Sequence, residues 1–118
     1  MSTLANIAVA LVALLHVYFL VLEVFLWDKP FGMRIFRLTP ELAKATKKMA
    51  ANQGVYNGFL AAGLAWGVVL GTAGDPIKIF FLLCVIVAGA VGAATVNRKI
   101  LWVQALPAVV ALLLVLVS

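Results

Sequence analysis

Four stretches of nearly unbroken apolar sequence, each close to the length that crosses a bilayer as a helix, govern what this chain can fold into. A hydrocarbon core roughly 30 Å thick is spanned by about 20 helical residues. The first run extends from Leu4 to Trp27, the second from Met49 to Leu70, the third from Ile77 to Val96 and the fourth from Leu101 to Val117. Breakers separate them: Lys29-Pro30 and Gly32, then Gly71-Thr72-Ala73-Gly74-Asp75-Pro76, then Asn97-Arg98-Lys99. With 66% hydrophobic and 11% charged residues, a soluble domain of 118 residues would have no means of hiding its apolar surface. The first run is too long for a signal h-region and no Lys or Arg precedes it, so it reads as a retained helix. The expected fold is therefore all-α: an integral membrane four-helix bundle in a single transmembrane domain, 1–118.

Orientation follows from Lys and Arg, which stay on the cytoplasmic side when they flank short membrane segments. Lys29, Arg34, Arg37, Lys44, Lys47 and Lys48 fall between the first and second runs, and Arg98 and Lys99 between the third and fourth. Of the nine basic residues only Lys78 lies on the other side, so both termini are expected outside the cytoplasm. So uneven a distribution argues against a dual-topology dimer, which needs nearly balanced loops. The net charge of +5 is then a topology signal, reinforced by attraction of about 1 kcal/mol per basic residue to anionic lipid headgroups. Membrane lipids are the expected partners and nucleic acid is not. Cys84 has no second cysteine to pair with and reads as packing.

The first loop has structure of its own. Apolar residues at 31, 35 and 38 recur at helical spacing with the arginines elsewhere, which suits a short interfacial segment. Thr39-Pro40-Glu41 marks a helix start, with a capping hydroxyl, a proline for the first position and a carboxylate at the positive end of the dipole. No breaker follows before Gly54, so the second helix is expected to begin in the cytoplasm and continue into the membrane. The expected helices are 4–27, 40–71, 77–96 and 101–117. Small residues let membrane helices approach closely. Gly54 and Gly58, then Gly63, Gly67 and Gly71, form a GxxxG series, with Ala88, Gly89, Gly92 and Ala93 on the third helix. Packing inside the monomer is the expected use, and a homodimer seam the alternative. Pro107 frees the carbonyl of Val103 and is expected to bend the fourth helix.

Polar groups are costly at membrane depth and tend to face a protein interior or a watery cavity. His16 and Glu23 are seven residues apart, close to two turns, and share one face of the first helix. Asn52 with Tyr56 and Gln53 with Asn57 stack at i, i+4 on the second. Asn97 ends the third helix and Gln104 lies one turn into the fourth. With the inferred orientation all of them except His16 occupy the cytoplasmic leaflet, and His16 lies near the midplane. These eight residues are the candidate ligand-binding set, and a cavity open to the cytoplasm lined by His16, Glu23, Asn52, Gln53, Tyr56 and Asn57 is expected. One imidazole and one carboxylate two turns apart make no metal set, and no cofactor motif is present.

The segments His16-Val17-Tyr18-Phe19-Leu20-Val21-Leu22-Glu23, Trp27, Phe36-Arg37-Leu38-Thr39-Pro40-Glu41 and Ala51-Asn52-Gln53-Gly54-Val55-Tyr56-Asn57-Gly58-Phe59-Leu60-Ala61-Ala62-Gly63 resemble a bacterial family of small four-helix membrane proteins known as domain of unknown function 1304. The likeness covers essentially the whole chain. It implies the bundle architecture and a bacterial inner-membrane location. Its motifs fall on the polar cluster but bring no established reaction, although some members bear an epimerase label.

Three function classes follow. The polar cluster binds a small amphiphile or lipid-like ligand from the cytoplasmic leaflet, which is the favoured reading. Alternatively His16 and Glu23 act as acid and base in a membrane-embedded isomerase or epimerase. In the third class the chain is a structural or accessory subunit whose polar groups fix helix register. Against catalysis stands the lack of any nucleophile motif, phosphate loop or metal set.

Overall fold

The computed structural model describes residues 2–118, and every regular element among them is helical. Helix α1, Ser2–Val24, contains neither glycine nor proline and runs unbroken. Helix α2, Pro30–Phe36, starts on its proline and stops at Arg37, which adopts a left-handed conformation at φ 54. The Leu38 N–H returns to the Met33 carbonyl at 2.8 Å, closing the helix in the Schellman manner. Helix α3, Pro40–Val69, is 30 residues long. Its start is capped by Thr39, whose hydroxyl accepts the Leu42 N–H at 3.1 Å. A 3-10 turn, Gly71–Gly74, leads into α4, Asp75–Thr95. A π-helical segment, Leu101–Ala105, then runs directly into α5, Leu106–Leu116.

Among the described residues two helices are long and apolar enough to cross a membrane: Thr3–Val24, 22 residues, and Gly71–Thr95, 25 residues, both at mean hydropathy 2.5. Leu101–Leu116 is apolar but shorter. Helix α3 has the length, but its lysines and amides dilute the apolar content along its first five turns. The other two of the four expected crossings are therefore not carried by length and composition.

The chain divides into two units, one made of the segment up to Leu14 with Leu60–Ser118, the other of Leu15–Phe59. In the first unit, Ala5, Val9, Val12 and Ala13 of α1 join Leu64, Leu82, Val85, Ala108, Ala111 and Val115 in one buried cluster. On α4 the buried positions are 78, 82, 85 and 89, a stripe with alternate steps of four and three residues. Gly89 lies where a Cβ would stand 3.0 Å from the Ala105 backbone nitrogen, so α4 and the π segment meet backbone to backbone. Gly63 faces the Phe81 ring, and Gly67 faces Lys78 and Gly74. Gly71 is different: it sits at φ 64 with open space around it, and ends α3 by its left-handed backbone.

Pro107 explains the π segment. An α-helical path would drive its ring into the Val103 carbonyl. The chain instead widens by one residue, and the Leu106 N–H reaches back five positions to the Leu101 carbonyl.

In the second unit, Gly54 of α3 lies against Leu20, Glu23 and Val24 of α1, and Gly58 against Leu20. The Trp27 indole Nε1 donates to the Thr46 hydroxyl at 2.9 Å, and its ring lies 4.7 Å from that of Phe36. Lys47 pairs with Asp28 at 2.9 Å, and this contact holds the Asp28 carboxyl below its ordinary value of 3.8. The glycines at 54, 58, 63 and 67 are thus occupied by contacts within their own chain.

Candidate functional site

The buried face of α3 in the second unit is built from Ala43, Ala50, Gly54 and Asn57, spaced by seven, four and three residues. Alanine and glycine there let α1 come close enough for a hydrogen bond between side chains: Asn57 Nδ2 donates to Glu23 Oε1. Asn57 is buried and Glu23 half-buried, so the carboxylate is held but not sealed. A hydrogen bond to a charged acceptor contributes about 2 kcal/mol, and leaving either group unpaired in an apolar setting costs at least as much. His16, two turns earlier on α1, is completely buried, with the Phe19 ring edge-on at 5.4 Å.

The remaining expected residues lie elsewhere. Asn52, Gln53 and Tyr56 are exposed on α3, and the Tyr56 ring contacts Phe59 at 5.9 Å. Asn97 is exposed in the turn after α4, where its side-chain oxygen accepts the Lys99 N–H at 2.9 Å. Gln104 is half-buried in the π segment. Asn97 and Gln104 belong to the first unit, and Glu23, Asn57 and His16 to the second. The structure therefore joins Glu23 to Asn57 by a direct bond and leaves Asn52, Gln53 and Tyr56 facing outward.

A second polar constellation lies in the first unit, at positions that residue order marks only as loop or terminus. Lys78 is buried, with its side chain 3% exposed, in ion pair with Asp75 at 2.9 Å. Its ammonium also donates to the Gly71 carbonyl at 2.9 Å. The pair lines a cavity of about 130 Å³ together with Asn6, Thr72 and Ser118. Asn6 Oδ1 is itself buried without a hydrogen-bond donor among the described residues. The signal that would have found this site is Asp75 three residues before Lys78 at a helix start, a spacing that puts the two on one face.

Residues 10–116 match the family described as "Protein of unknown function (DUF1304)". The chain is 30% identical over 115 residues to the "Uncharacterized protein YpaA" of Lactococcus lactis subsp. lactis (strain IL1403), an alignment covering 96% of this chain and 97% of that one. No solved structure matches it. A match over nearly the whole chain identifies this protein as a member of the DUF1304 family.

Proposed function

We propose that this chain is a multi-pass protein of the bacterial inner membrane, with four crossings and both ends outside the cytoplasm, that binds a small amphiphile or lipid-like ligand beside the Glu23–Asn57 pair. Low burial supports the membrane reading. Only 28% of the α1 span and 22% of the α4 span is covered by the rest of the chain, where a core helix of a soluble protein would be mostly enclosed. Leu11, Leu14, Phe25, Phe59, Phe80 and Val87 are among the large apolar side chains left exposed. The shorter Leu101–Leu116 helix and the apolar second half of α3 would supply the other two crossings.

Charge supports the orientation. Lys78, the one basic residue outside the cytoplasmic loops, is buried and paired with Asp75, so it does not act as a free loop charge. The first turns of α1, the 3-10 turn and Ser118 line one cavity, as expected if both ends of the chain and the α3–α4 turn share a side. A reporter active only in the periplasm should give signal at both termini, and one active only in the cytoplasm should give signal within 29–48 and at 98–99 but at neither end. Cytoplasmic signal from either terminus overturns the orientation.

The observation that carries binding is a carboxylate in an apolar helix that has a partner and yet stays half-exposed. A carboxylate at membrane depth recruits donors, and the open side of Glu23 would take them from a hydroxyl- or amine-bearing headgroup. Asn52, Gln53 and Tyr56 offer further hydrogen bonds along the exposed side of α3. The isomerase reading has less support. His16 is sealed from substrate, and seven residues along α1 correspond to a rise of about 10 Å, whereas an acid and a base serving one carbon must each come within about 3 Å of it.

The test uses protein in lipid nanodiscs and a photoactivatable long-chain alcohol. Wild-type protein should be labelled near Glu23, and Glu23→Gln, which keeps the shape, should lose at least tenfold in labelling with its melting temperature nearly unchanged. Equal labelling of the two would leave Glu23 a register contact and support the accessory-subunit reading.

A further inference from the structure

We propose that the cavity at the α3–α4 turn binds a zwitterionic amine–phosphate group, of the kind carried by phosphatidylethanolamine, lying alongside the Lys78–Asp75 pair and Asn6. The site is separate from the Glu23–Asn57 pair, and only the source of the ligand, a lipid, rests on the membrane reading.

Lys78 is the centre of the argument. An ammonium has three donors and no acceptor. Among the described residues two donors are used, toward Asp75 Oδ1 and the Gly71 carbonyl, both at 2.9 Å. A buried ammonium is stable only when its remaining hydrogen-bonding capacity is met. The third donor calls for an acceptor, and a phosphate oxygen is a strong one.

The opposite need stands in the same cavity lining. Asn6 Oδ1 is buried without a donor among the described residues, and an unsatisfied buried acceptor costs about 1–3 kcal/mol. Asp75, 30% exposed on its side chain, gives one oxygen to Lys78 and keeps acceptor capacity on the other. An occupant must therefore both donate and accept. A simple anion would satisfy Lys78 but meet Asp75 as a like charge, and a simple cation would do the reverse. A zwitterion answers both, with phosphate toward Lys78 and ammonium toward Asp75 and Asn6. Thr72 and Ser118 add hydroxyls that serve either end.

Size agrees. A cavity of about 130 Å³ exceeds what one ordered water requires by roughly tenfold and suits a small polar headgroup. Because the cavity is lined by the first turns of α1, the α3–α4 turn and Ser118, it lies at one end of the helices, where a headgroup rather than an acyl chain would be found.

The experiment uses the full chain in nanodiscs of phosphatidylglycerol containing a minor fraction of phosphatidylethanolamine, read by native mass spectrometry after release into detergent. Wild-type protein should retain phosphatidylethanolamine at least tenfold over its share of the bilayer. Asn6→Leu and Thr72→Val should each lose most of that excess, as should Lys78→Met. Asn6→Leu and Thr72→Val leave the ion pair in place, so they decide the matter even where Lys78→Met fails to fold. Soluble glycerophosphoethanolamine added to detergent-held protein separates the sources: competition with the retained lipid shows that the headgroup is what is recognised. Retention equal to bilayer composition, retention unchanged in Asn6→Leu and Thr72→Val, or a high-resolution map with only water in the cavity would each overturn the proposal.

Discussion

Asp75→Ala should lower the stability of the fold by about 3 kcal/mol, because it leaves the Lys78 ammonium buried with only the Gly71 carbonyl for company. Removing one member of a buried pair exposes the survivor to the full cost of desolvation, whereas removing both does not. Lys78→Met combined with Asp75→Ala should therefore recover most of the loss, and the coupling between the two sites should be large. Part of the single-variant effect will come from α4 losing the acidic residue of its first turn, which favours the positive end of the helix dipole. That part survives in the double variant. Cys84, the chain's one thiol and partly buried, provides the measurement: a thiol-reactive dye followed during heating reports unfolding without an introduced cysteine. A single variant that melts with the wild-type protein would show that the pair contributes nothing.

Gly74→Ala should be at least as damaging, for a reason unrelated to charge. Its φ of −87 is open to any residue, so the backbone itself would accept a side chain. Space would not. A Cβ at 74 overlaps the Gly67 carbonyl oxygen and comes within 2.8 Å of its carbonyl carbon and 3.0 Å of its Cα. Backbone atoms cannot rotate aside, so α3 and the turn must separate, at an expected cost of about 3 kcal/mol. Gly71 makes the control. It has φ 64, and a methyl group there would meet nothing within 4 Å, so Gly71→Ala should cost only about 1 kcal/mol of left-handed strain. Melting temperatures in the reverse order would refute the account of how α3 meets its following turn.

Much of the helical framework is readable in residue order. Thr39-Pro40-Glu41 announces the start of α3, and the Thr39 cap is in place. Pro107 announces a bend, and the chain has a π segment just before it that pattern alone does not specify. The polar strip of α3 reads in sequence as one surface, but successive side chains on a helix point about 100° apart, so four residues within six positions cannot all face one neighbour. Gly54 decides which of them does, because the helix turns its small side toward α1, and Asn57 shares that side while Asn52, Gln53 and Tyr56 do not. The cavity around Lys78 escapes a sequence reading for a different reason. In a chain whose basic residues mark loops, a lysine four residues past a glycine-rich turn looks like one more loop charge, and only the folded backbone brings Asn6 to it.

The widened turn at Leu101–Ala105 has a consequence for how this chain tolerates change in length. An ordinary helix has no slack: one residue more or fewer rotates everything beyond it by about 100° and turns a buried stripe toward the outside. A π turn already holds the surplus residue, so Ala105, Ala108, Ala111 and Val115 keep their inward phase because the excess is absorbed before them. It is a place in the last helix where a residue can be lost during divergence without re-aiming the small side chains beyond it.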